Sequence, residues 1–132
     1  MRILFLGDVV GISGCSMIMS NLLDIKKKNK IDFTIVNGEN SAETGVGLTK
    51  EICEDFFNCG VNVITTGNHV WDQKEIMNFI DKESRLLRPK NLFEPAPGKG
   101  FEIYPISKQL RIGVLNLMGN VFMKKCDDVF ET

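Results

Sequence analysis

Five polar residues of this chain follow three apolar runs, and their types suit metal-assisted hydrolysis. Asp8 follows the first run, Glu39 and Asn40 the second, and Asn68 and His69 the third. Carboxylate and amide oxygens suit divalent or trivalent metal ions, and a carboxylate such as Glu39 can bridge two of them. Two bridged metals can share a hydroxide that attacks phosphorus in line. His69, the only histidine, could then protonate or stabilise the departing oxygen.

The elements that must position these residues are short strands joined by helices. Continuous apolar runs with β-branched residues predict strands at residues 3–6, 33–36 and 61–64. Helical periodicity predicts helices at residues 16–28, 50–59 and 73–82. Strands alternating with helices predict an α/β fold with a mostly parallel sheet and helical crossovers. The carboxyl ends of such strands share one edge of the sheet, so we expect the five polar residues to converge there.

Local signals define the helix ends. Thr49 is a reasonable N-cap for the second predicted helix, and Gly60 ends it. Asp72 and Glu75 have the spacing of a capping box for the third. The residues predicted to face inward from the three helices are Ile18, Leu22 and Ile25, then Ile52 and Phe56, then Ile76, Phe79 and Ile80.

The later part of the chain is less regular. Prolines and glycines interrupt residues 89–100, after which residues 101–104 and 110–117 predict two strands joined by a turn around Ser107 and Lys108. Residues 118–132 show no clear periodicity. No closing helix or strand follows, so we expect residues 1–132 to form a single, incomplete domain.

Composition indicates one ordinary globular domain without a strong charge preference. The chain has 132 residues, 43% hydrophobic and 25% charged, and its 16 basic and 17 acidic residues give a formal charge of −1. This balance gives no electrostatic reason to expect nucleic acid or an anionic membrane as a partner. The lysines at 26, 27, 28 and 30 end a predicted helix, where cations complement the helix dipole.

The cysteines and the first residues predict a cytoplasmic location. Cys15, Cys53, Cys59 and Cys126 form no closely spaced pair, which argues against a four-cysteine zinc site and favours reduced thiols. The first ten residues lack the length and cleavage site of a signal peptide, and no apolar run reaches the roughly 20 residues of a membrane span.

Other chemistries fit the sequence less well. The glycines at 7, 11 and 14 do not have G-x-G-x-x-G spacing, and no G-K-S/T sequence forms a P-loop. Ser41 and Cys15 are possible nucleophiles, but neither lies in a nucleophile elbow, and one histidine restricts triad chemistry. A doubly wound nucleotide-binding domain without metal stays open as a further alternative.

The segments MRILFLGDVVG, FTIVNGEN and ITTGNHVWD, with RPKN, PGKG and DDVF after them, resemble the YmdB-like metallophosphoesterases of the calcineurin-like superfamily. The resemblance implies half of a four-layer sandwich and a cyclic-nucleotide phosphodiesterase activity that acts on 2′,3′-cyclic and other phosphodiesters. It also implies two metal ions, with iron or manganese favoured over zinc. Asp8, Glu39, Asn40 and Asn68 would be the ligands, with Glu39 bridging, and His69 the catalytic residue.

The chain departs from that family pattern in several ways. Members are about twice as long, and their second half supplies further histidine ligands, so this chain resembles an amino-terminal half. Cys15 and Asn120 stand where the family usually has arginines, and Val129 where it has proline. We therefore expect weak metal binding, low activity alone and an exposed apolar face. That face favours a homo-oligomer or a separately encoded carboxy-terminal half, and a non-catalytic remnant or binding module is the alternative function.

Overall fold

The computed structural model describes residues 1–93, 95–123 and 125–132 of the chain. Its strands and helices are β1 (Ile3–Leu6), α1 (Gly11–Asn29), β2 (Phe33–Asn37), α2 (Lys50–Asn58), β3 (Val63–Thr65), a 3₁₀ helix (Lys74–Asn78), β4 (Leu86–Leu87), β5 (Phe101–Pro105) and β6 (Arg111–Leu115).

The first four strands form one parallel sheet in the order β1-β2-β3-β4. The α/β class with a parallel sheet is therefore confirmed, and three of these strands lie within a residue or two of their predicted positions. Strand β4 was missed because its two residues, Leu86 and Leu87, are too few to show any periodicity. Its parallel pairing with β3 extends the sheet by one strand.

Both helices and the 3₁₀ helix pack on one face of this sheet. Val36, Ile64 and Leu86 contribute the sheet side of that core, and Leu22 and Phe56 contribute the helix side. All five are at most 1% exposed. Full burial of an aromatic or aliphatic side chain contributes about 1.5–3 kcal/mol, so this layer anchors the strands whose ends carry the polar residues.

A hairpin of β5 and β6 covers part of the other face. The two predicted strands and the turn between them are present, the strands pair antiparallel, and Tyr104 and Val114 pack against Ile35, Val63 and Leu87. The Tyr104 hydroxyl also donates a hydrogen bond to the carbonyl of Ser84 at 2.7 Å. Burial raises the pKa of Tyr104, so its hydroxyl stays protonated as a donor. The sheet is therefore layered between helices and a hairpin.

Helix α1 differs from the prediction at its beginning and on its inner face. It begins at Gly11, five residues before the predicted start, and Gly14 lies within it close to Val9. A Cβ at residue 14 would lie 3.0 Å from a Val9 methyl group. Leu22 faces inward as predicted, but Ile25 is 37% exposed because the buried stripe runs through Cys15 and Leu22 instead.

The third predicted helix is wrong in kind and length. Residues 73–82 contain only the short 3₁₀ helix, although Ile76 and Ile80 are buried as predicted. Its N-cap is Gln73, with no side-chain hydrogen bond, so the predicted capping box of Asp72 and Glu75 does not form. Glu75 instead accepts a hydrogen bond from the Lys50 amide and caps α2, beside the Thr49 cap that was predicted correctly.

The segment after β6 is held to the rest of the fold by Asn91. This fully buried amide donates to the carbonyls of Met118 at 2.7 Å and Asp127 at 2.9 Å, and accepts from the Met118 amide at 2.9 Å. No helix in the described parts of the chain is long and apolar enough to cross a membrane.

Candidate metal centre at the sheet edge

Asp8 and Asn40 meet where the first two strands end. The Asn40 side-chain amide donates to Asp8 Oδ1 at 2.6 Å, and the Gly11 amide donates to the Asn40 carbonyl at 2.8 Å. Asp8 has a φ of 47°, a left-handed conformation that L-residues rarely adopt. The chain therefore turns sharply after β1, and the turn holds the Asp8 carboxylate beside the exit of β2.

Glu39 reaches across to the exit of β3. Its Oε2 accepts a hydrogen bond from the His69 backbone amide at 3.3 Å. The carboxylate lies directly over Gly67, where an added Cβ would be 2.6 Å from the Glu39 carboxyl carbon. Only glycine leaves this space, so Gly67 allows the close approach of the carboxylate to the third strand exit.

His69 is oriented by an acidic neighbour. Its Nδ1 lies 2.6 Å from Asp72 Oδ2, and both side chains are partly exposed, at 34% and 43%. A proton on Nδ1 donated to this carboxylate leaves Nε2 as the free ring nitrogen. Asp72, which the sequence assigned to a helix cap, therefore positions the imidazole instead.

Glu39 and Asn68 line one wall of a cavity of about 280 Å³. Asn37 and Asn116 line it too, and sequence reasoning missed both as site residues. Asn116 donates to the carbonyls of Thr66 at 2.8 Å and Leu87 at 3.0 Å, which ties the end of β6 to the ends of β3 and β4. Its position in the sequence could have identified Asn116 as a site residue, because it follows an apolar strand just as Asp8 does.

The donor set fits a hard metal ion. The Asn37 and Asn40 Oδ1 atoms are buried without a hydrogen-bond partner, an arrangement that otherwise costs about 1–3 kcal/mol each and that a cation would relieve. Among the described residues, no three His, Cys, Asp or Glu side chains cluster to hold a metal. Any ion here would therefore depend on amide oxygens together with the Asp8 and Glu39 carboxylates. Such oxygen ligands suit Mg²⁺, Mn²⁺ or iron better than they suit soft metal ions.

Two positions that the family resemblance singled out carry no positive charge. Cys15 is buried and donates to the Ser41 carbonyl, and burial raises the pKa of its thiol, so it stays neutral. Asn120 accepts a hydrogen bond from the Cys126 thiol at 2.7 Å. Neither side chain supplies the bidentate cation that arginine would bring to a phosphate group.

The chain is an α/β protein whose parallel sheet carries carboxylate, amide and imidazole groups along one edge. The profile of the YmdB-like protein family matches residues 4–132. The chain belongs to that family.

We describe two of the curated relatives that are named for an activity. A 2′,3′-cyclic-nucleotide 2′-phosphodiesterase of Bacillus subtilis (strain 168) is 46% identical over 130 residues, which are 98% of this chain and 48% of the relative. A putative phosphatase/phosphodiesterase of Mycoplasma pneumoniae is 37% identical over 122 residues, 89% of this chain and 43% of the relative. The chain thus spans about half the length of the curated relatives it matches.

Two crystal structures match the fold of this chain over about half of their own length. A hypothetical protein from Thermus thermophilus superposes with a TM-score of 0.91 at 35% identity, covering 99% of this chain and 50% of that one. A structure titled as a novel phosphatase, from Mycoplasma pneumoniae, gives 0.88 at 34% identity over 98% and 47% of the two chains. The fold of this half therefore matches that of the corresponding half of chains about twice as long.

Proposed function

We propose that the chain supplies one half of a metal-dependent phosphodiesterase site, as a single incomplete domain, and that its substrates are 2′,3′-cyclic nucleotides or related phosphodiesters. The observation that carries this proposal is the convergence of three strand exits, with Glu39 against the His69 amide and Asp8 against Asn40. The substrate class is that of the Bacillus subtilis relative.

Asp8, Glu39, Asn40 and Asn68 would hold two metal ions, with Glu39 as the shared ligand. Iron or manganese fits this oxygen-rich set, and zinc is the less favoured ion because it prefers nitrogen and sulfur ligands. When bound, such ions would supply a nucleophile at neutral pH and charge compensation at phosphorus. The Glu39 carboxylate is already positioned by the His69 amide and by the space over Gly67.

His69 acts on the departing oxygen in this proposal. The Asp72 carboxylate accepts a hydrogen bond from Nδ1–H, so that an imidazolium protonated on both nitrogens could donate its Nε2 proton to the oxygen or stabilise its charge. His69→Ala would therefore lower turnover and leave metal affinity nearly unchanged. Asp72→Asn would keep the size of the partner but remove its charge, so turnover would fall by a smaller factor.

In this proposal the chain carries only half of the complete site, and this limits its metal affinity and its turnover. Four oxygen ligands without imidazole hold transition metals weakly, so the chain alone would bind metal with low affinity and turn over slowly. Full activity would need the additional ligands that the other half of the relatives supplies by family resemblance.

The test is a Mn²⁺ titration monitored by electron paramagnetic resonance. This method detects weak metal binding and does not require the chain to turn over a substrate. Glu39→Gln keeps the shape and removes the charge, so we expect an affinity at least tenfold lower. Glu43→Gln, an exposed acidic residue of the next loop, is the matched control and should bind as the natural chain does. Equal Mn²⁺ affinity in both variants, or no binding by the natural chain at millimolar Mn²⁺, would overturn the proposal.

A second candidate is a binding module that keeps the fold without catalysis. The neutral, buried Cys15 and the pairing of Asn120 with Cys126 favour it, because both leave a phosphate without a cationic partner at these positions. A chain that binds Mn²⁺ but stays inactive when mixed with the other half of a relative would support this candidate.

A further inference from the structure

A second cavity, which we call the side cavity, adjoins the candidate metal centre. Its volume is about 160 Å³, and it is lined by residues of the turn after β3 and by residues 92, 93, 118 and 125. Asn68 and Met118 line both the side cavity and the cavity of about 280 Å³ that Glu39 also lines. A ligand with one end at the metal centre would therefore extend directly into the side cavity.

The side cavity has apolar walls and two aromatic rings. Val70, Leu92 and Met118 form its buried part, and each is at most 8% exposed. Trp71 and Phe93 supply the rings, and Phe93 is 66% exposed. A flat ring bound here would remove apolar surface of these side chains from water, which stabilises a complex roughly in proportion to the area buried.

Hydrogen bonds of the fold fix two walls of the side cavity. Asn91 donates to the Met118 carbonyl at 2.7 Å and accepts from the Met118 amide at 2.9 Å. Trp71 lies in a turn in which the Asp72 amide donates to the His69 carbonyl at 3.1 Å. The fold itself forms the cavity, so a ligand does not have to order these walls when it binds.

Three polar side chains on the same walls narrow the class of ligand. Asn68 carries an amide, Asp72 a carboxylate and Lys125 an ammonium group, so hydrogen-bond donors and acceptors lie beside the aromatic rings. Nucleobases match both features, because each has a flat face for stacking and polar edges for hydrogen bonds. The side cavity is smaller than the roughly 300–1,000 Å³ of sites for drug-sized molecules. It therefore suits one small ring system and not a whole nucleotide.

We propose that the side cavity binds the base of the substrate nucleotide, with Trp71 and Phe93 stacking on the ring, while the phosphate lies at the metal centre. The proposal rests on the proposed function only for the position of the phosphate. Base binding depends on apolar contact and stacking, so it should occur with or without metal. Trp71 and Phe93 are then specificity-determining residues that favour cyclic nucleotides over phosphodiesters without a base.

Adenosine tests base binding because it carries a base and no phosphate. Trp71 is the only tryptophan of the chain, so the tryptophan fluorescence reports on the side cavity alone. We expect adenosine, titrated into the chain in EDTA, to change this fluorescence saturably at millimolar concentration or below. Ribose 5-phosphate, which has a phosphate and no base, should cause no change. N-acetyltryptophanamide, titrated in parallel, corrects for the light that adenosine absorbs.

Two substitutions of Phe93 separate stacking from apolar contact. Phe93→Leu keeps an apolar side chain and removes the ring, so the affinity for adenosine should fall about fivefold or more. Phe93→Tyr keeps the ring and should bind adenosine as the natural chain does. Phe130→Leu, at a position that is 96% exposed, is the matched control and should leave the affinity unchanged. Thermal melts check that each variant remains folded.

The base subsite is overturned by any of three results. The first is a folded chain whose fluorescence shows no saturable change at millimolar adenosine. The second is equal adenosine affinity in Phe93→Leu and Phe93→Tyr, because the cavity would then select only for apolar character. The third is binding of ribose 5-phosphate as tight as that of adenosine. Binding of adenosine without binding of Mn²⁺ would support the subsite and overturn the proposed function, and the opposite pattern would overturn the subsite alone.

Discussion

Gly67→Ala tests the geometry of the candidate metal centre with a single methyl group. Gly67 does not adopt a left-handed conformation, so alanine meets no backbone penalty. Its Cβ would lie 2.6 Å from the Glu39 carboxyl carbon, well inside the roughly 3.5–4.0 Å of an ordinary carbon contact. The Glu39 carboxylate must therefore move by about 1 Å, and it would lose its hydrogen bond from the His69 amide.

The expected effects on metal affinity and on stability differ in size. Displacing a metal ligand through its supporting residues lowers affinity about 10- to 100-fold, equivalent to about 1.4–2.7 kcal/mol. The lost hydrogen bond costs about 1 kcal/mol of folding stability, and the lower entropy of unfolded alanine returns about 0.4–1 kcal/mol. Metal affinity should fall clearly, while the free energy of unfolding changes by less than about 1 kcal/mol.

Mn²⁺ titration and urea denaturation measure these two quantities on the same samples. Gly119→Ala is the matched control, because Gly119 lines the same cavity but has no atom within 4 Å of its added Cβ. In a Glu39→Ala background, Gly67→Ala should have no further effect on affinity. Unchanged Mn²⁺ affinity in Gly67→Ala, or an equal loss in Gly119→Ala, would refute the assigned position of Glu39.

Three further predictions concern stability and reactivity. Asn91→Ala should lower the free energy of unfolding by about 2–4 kcal/mol in urea denaturation, because its buried bonds to Met118 are lost; a change below about 1 kcal/mol would contradict this. The Arg85 guanidinium hydrogen-bonds Glu83 and lowers the pKa of that carboxyl, so its stabilising effect is present at neutral pH and is lost as pH falls through the folded pKa. Glu83→Gln should therefore destabilise the chain at pH 7 and have little effect once acid has protonated the Glu83 carboxyl, and a pH-independent difference would count against the pairing. Burial raises the pKa of Cys53 to about 12, so iodoacetamide at pH 8 should leave it unmodified by mass spectrometry until urea unfolds the chain.

Long periodic segments and strand exits were predictable from the sequence. Strand β1 and the cap at Thr49 lie where the apolar run and the capping residue placed them. The fold also brings Asp8 to Asn40 and Glu39 to His69, as the shared sheet edge implied. These features depend on local sequence pattern and on the topology of parallel strands. Both can be inferred from short continuous segments of the sequence.

Features that depend on distant partners were not predictable. Glu75 has the spacing of a local capping residue, yet it caps α2, 25 positions earlier, because the fold places the Lys50 amide nearer. Asp72 is a local exception, because the His69 ring whose Nδ1 lies 2.6 Å from its carboxylate is only three positions earlier in the chain. Asn116 contributes to the cavity only after the hairpin crosses the sheet and brings it to Thr66 and Leu87.

The left-handed backbone at Asp8 has a consequence for how such a chain changes over time. An L-residue in this conformation stores about 1 kcal/mol of strain, which glycine would release. Part of that gain would be lost to the greater freedom of glycine in the unfolded chain. Selection for folding stability alone would therefore not retain an aspartate at residue 8. A laboratory selection for thermal stability should accordingly yield substitutions at residue 8 in its first rounds.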